Sequence, residues 1–197
     1  MHRLSTSFVL GYHGCDAATA DALLSGKPFR QSENDYDWLG PGIYFWEANP
    51  QRGLDFANEV AKRRTSSIRI PAVVGAVIDL GLCLDMTTLA AVERVAIAYD
   101  SLIQSAHVAG VPLPTNSKDL LLRRLDCAVI QRLHALLALE GTKLDSVRGI
   151  FIEDDPIYEN SGFHKKTHVQ IAVCNPACIK GVFRVPDDQL RSLVIGH

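Results

Sequence analysis

Strand-forming segments at both ends of this chain enclose a long helical stretch, and no other feature limits the possible folds as tightly. Phe8 to His13 is a short apolar run closed by Gly14, which reads as a first strand entering a turn. A helix capped by Asp16 follows, with Ala17, Ala20, Leu23 and Leu24 at helical spacing until Gly26 and Pro28 stop it. Ile43 to Trp46 is an aromatic, β-branched strand placed directly after Gly40-Pro41-Gly42. Asn49 and Pro50 open a second helix with Leu54, Phe56, Ala57 and Val60 along its stripe. Ile68 to Leu84, rich in Val and Ile and interrupted by Pro71 and Gly75, predicts one or two core strands.

Between Thr87 and Gly141 the period becomes helical, carried by Leu89, Val92, Val95 and Ala96 and later by Leu120 to Leu139, with a turn at Gly110 to Asn116. Strand signals return at Val147 to Ile152, Val169 to Val173 and Ile179 to Val185. Neither set of strands can cover its own apolar face, so early and late strands are expected to pair across the helical middle in an α+β fold. The 197 residues are expected to form a single domain, with residues 86–141 as a helical insertion.

With 47% apolar and 21% charged residues the chain has the balance of a folded globular protein, which excludes disorder. Its net charge of -2, from 20 Lys+Arg and 22 Asp+Glu, gives no general attraction to nucleic acid or anionic lipid. Lys62-Arg63-Arg64, Arg123-Arg124 and His164-Lys165-Lys166 are the candidates for a local basic patch that meets nucleic acid, and each is more often a solvated face. The five cysteines are scattered without a CxxC pair, which suggests reduced thiols. The start, Met1 to Gly11, lacks the apolar region of a secretory signal, and no segment reaches the roughly 18 apolar residues of a membrane helix. A cytoplasmic protein without membrane contact is therefore expected. The seven histidines lack a carboxylate partner at ligand spacing, so no metal is expected. The glycine turns lack the residues of a P-loop or of a strand-to-helix dinucleotide motif.

The informative pairing is Gly11-Tyr12-His13-Gly14 at the end of the first strand, followed by Gly40-Pro41-Gly42-Ile43-Tyr44-Phe45. Each half alone is weak, since a strand-end His is more often structural and a GxGxY segment is usually a turn entering a core strand. Together, in order, separation and flanking residues, they resemble the two opening motifs of the poly(ADP-ribose)-polymerase-like, diphtheria-toxin-like ADP-ribosyltransferases. The resemblance covers the opening segment to about Ala61 and the closing one from about Val147 to Val185, and the helical middle matches no family pattern.

The resemblance implies a split β-sheet core with NAD, as co-substrate, held in a cleft between two small sheets. It implies that His13 donates to a hydroxyl of the adenosine-side ribose, that the Gly14 backbone bonds the nicotinamide carboxamide, and that Tyr44 stacks on the nicotinamide ring. Phe56 falls near the family's second stacking aromatic, and plain core packing is an equal reading of it. Ser32 belongs to a segment, with Asn34, Tyr36, Asp37 and Trp38, where the family keeps a loop over the adenine-ribose side. Trp38 and Trp46 are candidate adenine or acceptor platforms, or packing residues.

Polymerizing members carry a Glu on a late strand. Here the comparable strand is His168-Val169-Gln170-Ile171-Ala172-Val173, and Gln170 stands in that place. An amide stabilises a developing cation less than a carboxylate and cannot act as a base, so a single transfer is expected rather than chain growth. Glu159 or Glu153 in the preceding loop is the alternative carboxylate. That loop, Glu153 to Lys166, lies where related toxins recognise an acceptor; Tyr158 and Phe163 suit a base, and Lys165 and Lys166 suit phosphates, but a protein-docking surface or an ordinary loop without a role fits equally. Cys127 and His134, seven apart on an apolar helix, are read as core.

The implied activity is mono-ADP-ribosylation of a protein or nucleic-acid acceptor with release of nicotinamide, by a bacterial toxin or effector partnered by an antitoxin or inhibitor protein. A catalytically inactive NAD or ADP-ribose reader and an NAD glycohydrolase are the alternatives.

Overall fold

The computed structural model describes residues 8–190; Met1 to Ser7, on which much of the reading of the start rests, lie outside them. Among the described residues seven strands and four α-helices form a mixed α+β protein: β1 (Phe8–Asp16), α1 (Ala17–Leu24), β2 (Ile43–Glu47), α2 (Pro50–Ala61), β3 (Pro71–Asp79), β4 (Cys83–Asp85), α3 (Leu89–Ala109), α4 (Arg124–Leu139), β5 (Ser146–Phe151), β6 (His168–Val173) and β7 (Ile179–Arg184). The chain divides into two compact units, the first built from residues 8–30, 45–80 and 176–190, the second from 31–44 and 81–175.

In the first unit β1 pairs antiparallel with β3 over nine residues, from Phe8↔Asp79 to Asp16↔Pro71, and with β2 at Gly11↔Glu47 and Tyr12↔Trp46. β3 also takes β7, through Val74↔Arg184 and Gly75↔Phe183, so strands from the two ends of the sequence do pair. Helices cover both faces of β3. Val74 packs with Cys15 and with Ala20 and Leu23 of α1, while the adjacent Val73 packs with Tyr12 and Leu54 of α2. Successive strand residues point to opposite faces, which is why this strand reads as a continuous apolar run rather than an alternating one.

Two expected breaks in this unit are absent, for the same reason. β1 continues through Gly14 to Asp16, because β3 supplies partners along its whole length. β3 likewise runs through Gly75, where a Cβ would fall 2.3 Å from ring atoms of Phe183. Gly75 admits a neighbouring ring instead of ending a strand. The α2 stripe also differs from expectation: Arg52, Gly53 and Ala57 are buried, whereas Leu54, Phe56 and Val60 are half-buried.

In the second unit β5 pairs parallel with β4 (Leu84↔Val147) and antiparallel with β6, from Ser146↔Val173 to Phe151↔His168. α3 packs on α4, burying Ala91, Ala98 and Ala106 on one side and Val129, Ile130, Leu133 and Leu137 on the other. The second set joins Leu84, Val147 and Ala172 in one core. The helical middle is interrupted for longer than its apolar pattern suggests, since residues 110–123 are non-helical. There Ser117 and Asp119 accept from the backbone N–H groups of Leu122 and Leu121, which competes with a helix. Asn116 Oδ1 then caps α4 through Leu125 N–H at 2.9 Å. Among the described residues no helix is long and apolar enough to cross a membrane.

Candidate functional site

β1 carries His13 and Gly14 in the first unit. The His13 ring meets Phe29 edge-on at 5.4 Å and Phe45 at 5.7 Å, and Phe29 and Phe45 pack at 5.3 Å, so two phenyl rings fix the imidazole plane. Gly14 sits where α2 crosses the strand: a Cβ there would lie 2.1 Å from the Gly53 carbonyl oxygen. Close packing of α2 therefore demands glycine at this position by itself. Phe56 projects from α2 onto Trp46, with ring centroids 4.8 Å apart.

Ser32, Tyr44 and Gln170 belong to the second unit. Ser32 and Gly42 exchange backbone hydrogen bonds of 2.8 and 3.0 Å, which closes the intervening loop onto the foot of β2. The Tyr44 hydroxyl donates to the Gly40 carbonyl at 2.8 Å and accepts from the Leu39 N–H at 3.0 Å, so the tyrosine clamps the turn that precedes its own strand. Burial, then the nearby Asp37 charge, pushes its phenol well above the ordinary range, and it stays neutral at any working pH. Tyr44 can thus offer a ring and a fixed hydroxyl but no general base.

Gln170 lies mid-strand in β6, opposite Gly149. Trp38 Nε1–H donates to Gln170 Oε1 at 2.6 Å, and Gln170 Nε2 lies 3.2 Å from His168 Nε2. His168 Nδ1 in turn lies 2.6 Å from the Lys166 carbonyl oxygen. Donor chemistry fixes every direction in this chain. An indole only donates, so the amide oxygen must face it; a carbonyl only accepts, so His168 carries its proton on Nδ1 and receives the amide N–H on Nε2. One N–H and one lone pair of Gln170 remain for other partners. His168, stacked on Phe151 at 5.5 Å, was not foreseen, although its place two residues before Gln170 put both on one face of the strand.

The remaining predicted residues divide. Glu153 is held by Lys166 Nζ at 3.6 Å with a side chain only 13% exposed. Glu159 is exposed, as are Tyr158 and Phe163, on a loop pinched by the Pro156↔His164 bridge. Cys127 is buried beside the Asn34 carbonyl, while His134 approaches Cys174 at 4.0 Å. Among the described residues no three His, Cys, Asp or Glu gather closely enough to hold a metal ion.

No protein-family model matches this chain, and no solved structure matches it. Among curated proteins it is similar to the uncharacterized protein MJ0359 of Methanocaldococcus jannaschii, with 44% identity over 36 residues, 18% of this chain and 17% of that protein.

Proposed function

We propose that this protein is an NAD-dependent mono-ADP-ribosyltransferase of the poly(ADP-ribose)-polymerase-like kind, acting on a macromolecular acceptor and releasing nicotinamide. The observation that carries the reading is that its three key side chains stand on strands with their planes already set. His13 of β1 is held by Phe29 and Phe45, Tyr44 of β2 by the Gly40 turn, and Gln170 of β6 by Trp38 and His168. Positioned groups of this kind lower the reorganisation needed at the moment of reaction.

In this reading His13 donates to a ribose hydroxyl, the Gly14 backbone bonds the carboxamide, and the Tyr44 ring stacks on nicotinamide, with Ser32 and Phe56 lining the cofactor. The remaining N–H and lone pair of Gln170 suit a ribose hydroxyl. As the C–N bond breaks, nicotinamide departs with the bonding electrons, and the oxocarbenium-like carbon is captured by the acceptor nucleophile, whose proton passes to solvent. Gln170 stabilises that cation by its dipole alone, which limits the reaction to a single transfer. Tyr158, Phe163, Glu153 and Glu159 belong to the loop that meets the acceptor. A cytoplasmic bacterial toxin silenced by an antitoxin protein is the setting that fits such an activity.

A second reading, a module that binds NAD or ADP-ribose without turnover, is favoured by one observation: both ends of the Gln170 amide are already engaged. Incubation with adenine-labelled NAD and cell lysate, followed by protease or nuclease treatment, decides between them. Label in a macromolecule that is lost in His13→Ala and Tyr44→Ala supports transfer and names the acceptor class. Loss of NAD without labelled macromolecule indicates a glycohydrolase, and intact NAD throughout rejects both enzyme readings.

A further inference from the structure

A cavity of about 450 Å³ opens in the second unit, walled by Val92, Val95 and Tyr99 of α3, by Ile130 of α4 and by Trp38. That volume lies in the range of small-molecule sites. Its lining is apolar except for the Tyr99 hydroxyl, the Trp38 indole N–H already given to Gln170, and the pair Arg123 and Asp126 at one end.

Arg123 is the residue that defines what this cavity accepts. Its guanidinium lies 4.9 Å from the Trp38 ring centroid and 4.3 Å from that of Phe151, and its side chain is only 14% exposed. Nε donates to the Leu120 carbonyl at 2.9 Å. Asp126 Oδ2 stands 3.9 Å from Nη1, beyond hydrogen-bond range, and Asp126 Oδ1 is taken by Asn116 Nδ2 at 2.9 Å. Among the described residues the two terminal nitrogens make no hydrogen bond, so the flat, donor-rich end of a nearly buried cation, on a residue that lines the cavity, lacks a hydrogen-bond partner. Burial pulls the Arg123 pKa down, with Asp126 opposing, as expected of a cation lacking full compensation. A guanidinium fork presents two parallel N–H donors that match one carboxylate, and an apolar cavity beside it matches an alkyl or aryl chain.

We propose that this cavity binds a small amphipathic carboxylate, its head on Arg123 and its medium-length apolar tail along α3 and Ile130. The site is built entirely from the second unit and stands independently of the transferase reading.

The test uses the full chain carrying Trp46→Phe, which leaves Trp38, in the cavity wall, as the sole tryptophan. Titration with decanoate is expected to change its fluorescence saturably, with one-to-one stoichiometry by calorimetry. Decan-1-ol, with the same tail and no charge, is expected to bind roughly tenfold or more weakly, as the loss of a charge-assisted hydrogen bond implies. Arg123→Gln is expected to reduce decanoate to the level of the alcohol. Ala96→Phe, at an exposed position of α3 that lines the cavity, is expected to abolish binding of both. A cooperative thermal transition confirms that each variant folds, and Ala96→Phe alone decides the matter if Arg123→Gln does not. Equal binding of acid and alcohol, an unchanged affinity in Ala96→Phe, or no saturable response to decanoate overturns the proposal.

Discussion

Trp38 and Gln170, 132 residues apart in sequence, meet through a single indole-to-amide hydrogen bond of 2.6 Å. Because an indole cannot accept, this contact orients the Gln170 amide, and the amide in turn sets the tautomer of His168. Trp38→Phe keeps the ring and deletes the donor, leaving a half-buried oxygen without its partner. The expected cost is roughly 1–3 kcal/mol in denaturant unfolding. If Gln170 serves the reaction, Trp38→Phe and Gln170→Ala will lower transfer by similar factors and their combination will add little. Fully additive losses would show that the bond does not position Gln170.

Gln170→Glu tests the same chain from its other end. A carboxylate accepts from Trp38 but cannot donate to His168 Nε2, so the contact survives only if the imidazole carries both protons. Long-range proton–nitrogen NMR should report a single Nδ1–H tautomer at His168 in the wild type and an imidazolium in the variant. An Nε2–H tautomer of His168 in the wild type would contradict the assigned directions. If Gln170 serves the proposed transfer, products longer than one ADP-ribose are the expected gain of function with a carboxylate in place.

Tyr44→Phe separates the ring from the hydroxyl. The variant loses bonds to the Gly40 carbonyl and the Leu39 N–H, and a stability loss of roughly 1–2 kcal/mol is expected. If Tyr44 stacks on nicotinamide as proposed, NAD affinity should persist, because stacking needs only the ring, whereas Tyr44→Ala should remove it. Equal loss of NAD affinity in both variants would assign Tyr44 to the turn and not to the nicotinamide.

Gly14→Ala places a methyl 2.1 Å from the Gly53 carbonyl oxygen, which is backbone and cannot swing aside. A destabilisation of roughly 3 kcal/mol or more is expected, since strand and helix must separate. Gly75→Ala meets the Phe183 ring first, at 2.3 Å, so adding Phe183→Val should rescue most of its loss. Melting of the two single variants and the Gly75→Ala, Phe183→Val pair checks this, and failure of the rescue would sink the packing account of Gly75.

Acid lability follows from Asp16. Its carboxylate accepts from the backbone N–H groups of Ile70 at 3.0 Å, Arg69 at 2.8 Å and Ala18 at 3.0 Å, which hold its pKa below the ordinary carboxylate value. A pKa lowered by folding gives stability that is present above the unfolded value, near 3.9, and lost as pH falls through the folded one. Asp16→Asn should melt lower than wild type at pH 7, and the difference should shrink as pH drops below about 4. Parallel melting curves from pH 7 to pH 3 would refute this role.

Local chemistry alone determined the order of strands and helices. Asp16 and Asn49 cap α1 and α2 where the sequence places them, and the late strands fall within a residue or two of their apolar runs. Such signals arise between residues a few positions apart, so they survive in the linear text. The candidate site was legible only as residue types: His13, Tyr44 and Gln170 were visible, but the neighbours that hold them were not. Tertiary structure decided that Gly14 and Gly75 accommodate a backbone carbonyl and a ring instead of making turns, and that Trp38, Gln170 and His168 share one chain of hydrogen bonds. It also set Arg123 against two adjoining aromatic rings at a cavity, where a basic pair had suggested a solvated face. These contacts join segments far apart in sequence, and they depend on strand register and helix packing that no local periodicity encodes.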